Sequence, residues 1–347
     1  MIKDIQLVLR LLFYKFGKRR FPAHVAISVT NRCNLRCTYC FARYNAHEKD
    51  AISTEKMISL IDELASKGTR LINLTGGEPL IRKDIKTIID YITQTKGIKC
   101  SVSTNGHLLE GKIKTLKNVS SINISLDGNE KQHNINRGEQ DYKKVIGAIE
   151  LAVKNHIPVS TCTVLNRDNA DCVDEIVNLA KEKGFLSIFH LPYGRLKEKE
   201  YEDLRPMTSL QTKDAMRKII GYKNSGSPVY YSNSTHSYVR DWPFKYGHLV
   251  KKSKNSTKHH LIPCRAGDLY CFIDANGRVY PCTVLSGQTT VKNFLEVGFQ
   301  EAWNYLPQTT CRSCPYLFQN ELNLLLGLDF STWFNFVKTT RILRQRE

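Results

Sequence analysis

Residues 24–40 read HVAISVTNRCNLRCTYC. An apolar, β-branched run over 24–30 gives way to a polar loop that carries Cys33, Cys37 and Cys40. The pattern reads as a buried strand that delivers three thiols at its C-terminal end. Runs of the same kind recur at 70–75, 98–104, 120–126, 158–165 and 186–191, making six strands. Stretches with helical spacing lie between them, at 53–67, 83–95, 108–116, 142–155 and 171–183. This alternation predicts right-handed βαβ units on a parallel sheet. Six units are two short of a closed barrel, so the expected fold is α/β: a partial, open (β/α)6 TIM-like barrel with its chemistry at the C-terminal strand ends.

The 347 residues are 41% hydrophobic and 24% charged, which excludes a disordered or low-complexity chain. Lys and Arg total 51 against 33 acidic residues, a net +18 that favours anionic partners. The eleven cysteines are clustered in a chain too large to need disulfide staples, which points to a reducing cytoplasm and to metal or cluster ligation. The longest apolar runs, 5–13 and 322–328, fall short of the roughly 20 residues that span a bilayer. Arg10 splits the only N-terminal apolar stretch, and cations follow where a cleavage site would need small residues, so export is disfavoured.

Five segments are expected. Residues 1–20 form a basic amphipathic helix, 21–195 the barrel and 196–260 a linker or substrate-facing insertion. A Cys-bearing module spans 261–315, and 316–347 form a helical tail. In the first segment Lys3, Arg10, Lys15, Lys18, Arg19 and Arg20 flank Ile5, Leu7, Leu9, Leu11, Leu12 and Phe13. Such a helix suits reversible, peripheral contact with an anionic membrane, at about 1 kcal/mol per cation; packing under the barrel is the other reading.

Cys33, Cys37 and Cys40 make CxxxCxxC. Three thiolates suit an iron–sulfur cluster with one iron left open, whereas a structural zinc site would take four ligands. After the second strand comes TGGEP (75–79), where Gly76 and Gly77 allow close backbone approach and Glu78 can take the ammonium of a bound amino acid. Strands three and four end in STNG (103–106) and SLDG (125–128), short polar sets able to hydrogen-bond a ligand, and HNINRG follows at 133–138. Asn166, His190, Tyr193 and Arg195, after strands five and six, are further candidates for cofactor or substrate contact. In the C-terminal module Cys264 and Cys282 bracket a hairpin (272–274 and 278–280), and Cys311 and Cys314 form CxxC. Four converging thiolates suit a zinc ribbon or a [4Fe–4S] cluster. Cys271, in the first hairpin strand, and Cys100, Cys162 and Cys172 read as small core residues.

Taken together, these motifs resemble the radical S-adenosylmethionine (SAM) superfamily, whose cluster motif CxxxCxφC has an aromatic φ, here Tyr39. The resemblance implies a [4Fe–4S] cluster on Cys33, Cys37 and Cys40 and reductive cleavage of SAM to a 5′-deoxyadenosyl radical that abstracts hydrogen from an unactivated C–H bond. It implies Tyr39 beside the adenine, ribose and methionine contacts from Ser103, Asn105, Ser125 and Asp127 near Gly76, Gly77 and Glu78, and pairing of Arg137 with the cofactor carboxylate. Asn134 stands where the family segment HDxxRG has Asp. The module at 261–315 resembles a SPASM or twitch domain, implying one auxiliary [4Fe–4S] cluster on Cys264, Cys282, Cys311 and Cys314. The expected partners are a peptide, sugar or other small substrate and a low-potential electron donor such as flavodoxin or ferredoxin. The alternatives are the same chemistry on a lipid or envelope precursor at the membrane surface, and a non-enzymatic protein using zinc in both cysteine clusters, whose binding of nucleic acid leaves TGGEP, STNG and SLDG without a purpose.

Overall fold

The computed structural model describes residues 2–17, 19–40, 50–139, 141–193, 204–251, 258–306 and 311–344; Arg195 and Lys18 lie outside them. The six strands stand where the sequence places them: β1 (His24–Ser28), β2 (Leu71–Thr75), β3 (Lys99–Thr104), β4 (Ser121–Ser125), β5 (Val159–Val164) and β6 (Leu186–His190). Each pairs in parallel with the next, in the order of the chain. On β2, β3 and β4, Ile72, Leu74, Cys100, Val102, Ile122 and Ile124 are fully buried against the outer helices. The alternate positions, Asn73, Ser101, Ser103, Asn123 and Ser125, are only half buried. A period-two strand places these on the opposite face, so the barrel interior is polar and open.

The helices follow their sequence signals with some local differences. Helix α1 is Ile2–Gly17, and α2 (Thr54–Lys67) is capped by the Ser53 hydroxyl and buries Met57, Leu60, Ile61 and Leu64. Helix α3 (Ile85–Asp90) runs on into a wider π turn, Tyr91–Thr95. The expected helix at 108–116 is a short α4 (Leu109–Lys112) tightening to a 3₁₀ turn, Ile113–Leu116, as suits a segment with Gly111 in it. Between β4 and α6 (Asp141–Lys154) lies α5, Glu130–Arg137, which the periodicity does not announce. Its capping box joins Asn129 and Gln132. Helix α7 is Val173–Lys183.

Beyond the barrel, helices Ser209–Asn224 and Asn233–Arg240 occupy part of 196–260; the first packs on α7 and on the second, and the second packs on helices Leu317–Leu326 and Phe330–Arg344. Buried Glu321 ties this layer together, accepting from the backbone N–H of Ser232 (3.1 Å) and the hydroxyls of Ser232 (2.7 Å) and Thr235 (2.5 Å). A short strand β7 (Val250–Lys251) pairs antiparallel with β10 (Cys311–Ser313). The hairpin β8 (Tyr270–Ile273) and β9 (Val279–Tyr280) is not a detached module: β8 pairs in parallel with β1, so the barrel sheet gains two strands. Among the described residues no helix is long and apolar enough to cross a membrane.

Candidate active site

Cys33, Cys37 and Cys40 stand on the loop leaving β1, at the C-terminal edge of the sheet. This loop is zipped to TGGEP by a continuation of the β1–β2 ladder. Val29 N–H donates to Thr75 O (2.9 Å), Gly77 N–H to Thr30 O (2.9 Å) and Glu78 N–H to Arg32 O (2.8 Å). The glycines permit this contact: a Cβ at Gly76, whose φ is +145°, would stand 2.6 Å from Thr30 O, and one at Gly77 only 2.0 Å from Arg32 O. Their close approach is thus to the cysteine loop's own backbone.

Glu78 is fully buried. Its carboxylate accepts from Leu80 N–H (3.0 Å), the Thr104 hydroxyl (2.8 Å) and Asn105 N–H (2.7 Å). Desolvation pushes its pKa up to about 6 in spite of these donors. Asn105 in turn donates to Asn34 Oδ1 in the cysteine loop (2.9 Å). Glu78 and Asn105 therefore lock the ends of β2 and β3 to the loop between Cys33 and Cys37. Ser103 lies on the polar barrel face with Asn73, whose Nδ2 donates to Ser101 (2.9 Å) and Ser103 (3.3 Å). Ser125 shares that face at the end of β4, in register with Cys162. Asn73 escaped the sequence reading, although its alternation with Ile72 and Leu74 is the signal that finds it.

Buried Asp127 and Arg137 and half-buried Tyr39 form one hydrogen-bonded group. Arg137 Nε donates to Asp127 Oδ2 (2.6 Å), the Tyr39 hydroxyl donates to the same carboxylate, and Arg137 Nη2 donates to the Tyr39 oxygen. Asp127 Oδ1 accepts from Val164 N–H (2.9 Å), so both carboxylate oxygens are engaged within the protein. Arg137 Nη1 reaches Cys37 Sγ at 3.6 Å. Burial pushes the Cys37 thiol up to about 11, with the guanidinium opposing that rise.

Helix α5 positions this group. His133 Nδ1 accepts from Asp127 N–H (3.0 Å) and its Nε2 donates to Asp141 (2.8 Å), while Asn136 O accepts from Thr38 N–H (2.9 Å). Asn134 caps the start of α6 by accepting from Tyr142 N–H (3.1 Å), and Asn166 donates to Asn136 Oδ1 (2.9 Å). His190 is buried and neutral at pH 7, desolvation lowering its pKa to about 4, and it contacts the Tyr231 hydroxyl at 3.3 Å. Tyr193 packs edge-on between His190 and Tyr316.

The second set of thiols converges as well. Cys264 is in contact with Cys311, Cys264 and Cys282 both lie close enough to disfavour ionisation of Cys314, and Cys282 and Cys314 disfavour that of Cys311. Cys264 sits below the usual thiol range because it accepts from the Cys311 thiol, which is raised in return; burial pushes Cys282 up to about 12. Cys271 stands apart, paired with Val25 inside the β1–β8 ladder and raised by burial, with no other cysteine acting on it.

Neither thiol set is a closed single-ion site. Among the described residues no three His, Cys, Asp or Glu are arranged to hold one metal ion. The donors nevertheless fit iron–sulfur clusters. Amide N–H groups two residues on point at the sulfurs of Cys33 (Leu35, 3.4 Å), Cys264 (Ala266), Cys282 (Val284) and Cys314 (Tyr316). Such bonds to sulfur are among the means by which proteins tune these clusters. The raised thiols need the iron's positive charge to ionise.

The family model of the radical SAM superfamily matches residues 27–180, and that of SPASM, an iron–sulfur cluster-binding domain, matches 264–321. The AdoMet-dependent heme synthase of Methanosarcina barkeri is 28% identical over 300 residues, covering 81% of this chain and 82% of that protein. The mycofactocin maturase MftC of Mycolicibacterium smegmatis is 28% identical over 295 residues, covering 82% and 70%. Among solved structures, SuiB of Streptococcus suis bound to S-adenosylmethionine aligns with a TM-score of 0.65 at 16% identity, over 85% of this chain and 68% of that one. SuiB has also been solved with its precursor peptide SuiA. These matches leave no place for the non-enzymatic zinc reading. The chain belongs to the radical SAM superfamily and carries a SPASM domain: it is an enzyme whose cofactors are S-adenosylmethionine, a [4Fe–4S] cluster and an auxiliary iron–sulfur cluster.

Proposed function

We propose that Cys33, Cys37 and Cys40 hold the SAM-cleaving cluster, that Cys264, Cys282, Cys311 and Cys314 hold the auxiliary [4Fe–4S] cluster, and that the enzyme abstracts hydrogen from an unactivated C–H bond of a peptide, sugar or other small biosynthetic substrate. The observation that carries this reading is the meeting of three thiols with Tyr39, Asp127 and Arg137 at the mouth of a polar lumen. When bound, the cluster and SAM supply a 5′-deoxyadenosyl radical on reduction by one electron. Protein groups bind, orient and exclude water.

Arg137 carries a fixed charge beside Cys37, favouring its thiolate, and is the residue for the cofactor carboxylate. Tyr39, held by Asp127, presents its ring for the adenine. Asn105, Ser103 and Ser125 offer polar atoms for ribose and methionine, next to the loop that Gly76, Gly77 and Glu78 shape. Neutral His190, held by Tyr231 through Nε2, keeps Nδ1 without a protein partner near the end of β6, a polar atom for substrate. The net +18 suits an acidic electron donor of the flavodoxin or ferredoxin kind. The peptide is favoured as substrate class by the precursor peptide SuiA with which SuiB has been solved.

A second reading, the same chemistry on a lipid precursor in an enzyme peripheral to the cytoplasmic membrane face, is supported by the exposed apolar side chains of α1. Anaerobically reconstituted protein with a strong reductant is expected to convert SAM to 5′-deoxyadenosine, and Cys37→Ala to abolish this. Turnover that survives in the variant refutes the ligand assignment. Deuterium transfer into 5′-deoxyadenosine from labelled peptides, or from labelled lipid precursors instead, decides between the two substrate classes.

A further inference from the structure

Helix α1 presents two stripes at i, i+3, i+4, i+7: Leu7, Arg10, Leu11 and Tyr14, apolar but for Arg10, and the wholly apolar Leu9, Leu12, Phe13 and Phe16. One faces the protein. Leu11 is fully buried, Leu7 and Tyr14 pack on the core, and Arg10 stacks on Phe21 while donating to Lys67 O (2.7 Å). The Tyr14 hydroxyl donates to Asp268 (3.0 Å). The other stripe, Leu9, Leu12, Phe13 and Phe16, faces water, with Phe13 69% and Phe16 84% exposed. Packing under the barrel thus accounts for one stripe and leaves the other without a partner among the described residues.

Helix Phe330–Arg344 repeats the arrangement. Thr332, Asn335 and Thr339 are buried, and Asn335 donates to Tyr230 O (2.9 Å), while Phe330 (85%), Phe334 (66%) and Val337 (43%) are exposed at i, i+4, i+7. Arg265 links α1 to the turn that precedes this second helix. Its guanidinium stacks on Tyr14 at 5.6 Å, its Nε donates to Asn323 O (3.1 Å), and it abuts Gly327, three residues before Phe330. Residues 5–20 and 330–344 contain no Asp or Glu, and Lys15, Arg19, Lys338 and Arg341 are exposed on them.

We infer that these two helices form a surface that docks on an anionic lipid bilayer. Exposed aromatic and leucine side chains beside cations, on segments 5–20 and 330–344 that carry no acidic residue, match the interface of acyl chains and negatively charged headgroups. The charge is the ground for choosing lipid over a second copy, since a self-facing patch of like charge would repel itself. The inference holds for either substrate class, and its tests read binding, not turnover.

The full chain is expected to float with vesicles of equal parts phosphatidylglycerol and phosphatidylcholine at low salt, and to release at high salt or on phosphatidylcholine alone. The double variants Phe13→Ser/Phe16→Ser and Phe330→Ser/Phe334→Ser should each lower vesicle affinity by about tenfold or more. Leu210→Ser, exposed on a different helix, should leave it unchanged. Circular dichroism establishes that each variant is folded. Absence of flotation on anionic vesicles, or wild-type flotation of folded double variants, overturns the inference. So does a lipid-free dimer, seen by light scattering, that the Phe13/Phe16 variant converts to monomer, which would assign the stripe to a second copy.

Discussion

Replacing Gly77 by alanine probes how the cysteine loop is held. The added Cβ would stand 2.0 Å from Arg32 O and 3.1 Å from the Cys33 Cβ. An ordinary carbon–oxygen contact needs more than 3 Å, so the backbone at Arg32 and Cys33 must retreat by about 1 Å. Two hydrogen bonds span that gap, Gly77 N–H to Thr30 O and Glu78 N–H to Arg32 O. Losing both costs about 2 kcal/mol at about 1 kcal/mol each, comparable with the 1–3 kcal/mol typical of overpacking. Function should suffer more than stability, because a displacement of about 1 Å in a positioning element can cost about a hundredfold in rate.

The assay is 5′-deoxyadenosine formation by the anaerobically reconstituted variant under a strong reductant, with iron content and thermal unfolding measured on the same sample. Gly147→Ala is the control. Gly147 lies inside α6 with nothing within 4 Å of the new methyl, so the substitution should be neutral or stabilising by up to about 1 kcal/mol. Wild-type turnover in folded Gly77→Ala would refute the claim that this glycine exists to let the two loops touch.

Two further outcomes follow from the thiols and from Glu78. Iron and sulfide should each number about eight per chain in the wild type and in Cys271→Ala, and about four in Cys282→Ala and Cys311→Ala; loss of half the iron from Cys271→Ala would show that the auxiliary ligand set is misassigned. Glu78 binds its proton more tightly folded than unfolded, so its contribution to stability is present below about pH 4.5 and is lost as pH rises through about 6, an amount of about 2 kcal/mol. Glu78→Gln does not titrate, so urea unfolding should show the variant gaining on the wild type by that amount between pH 4.5 and 7, and a constant difference would refute the burial argument.

The strands of the barrel were legible because each is a short apolar run, with period-two polarity on β2, β3 and β4, and α2, α6 and α7 because their burial stripes are local. Helix α5 was not, since Glu130–Arg137 buries Gln132, His133, Asn136 and Arg137, polar residues that hydropathy sends to the surface. Its sequence signal was the Asn129-x-x-Gln132 box, and Thr208-x-x-Gln211 was the same signal for helix Ser209–Asn224. The four-thiol set was read from a hairpin and a CxxC pair, but the pairing of β8 with β1 depends on partners far apart in the chain. The resemblance implies a ligand contact for Asp127; its engagement by Tyr39, Arg137 and Val164 is a three-dimensional fact that no local pattern announces. The two stripes of α1 are visible in its periodicity, but only packing shows which one is spoken for.

The β1–β8 pairing also has a consequence for synthesis of the chain. Strand β1 is buried at all five positions, and its outer edge is satisfied only by residues about 245 positions later. At about 5–20 residues per second, the ribosome leaves that edge without its partner for on the order of 12 to 50 s. During this interval an apolar strand next to the nascent cysteine loop offers unpaired N–H and C=O groups to any neighbouring chain. A barrel terminated before Tyr270 keeps that open edge permanently, so the C-terminal segment acts late as the closing strand that protects the barrel from aggregation.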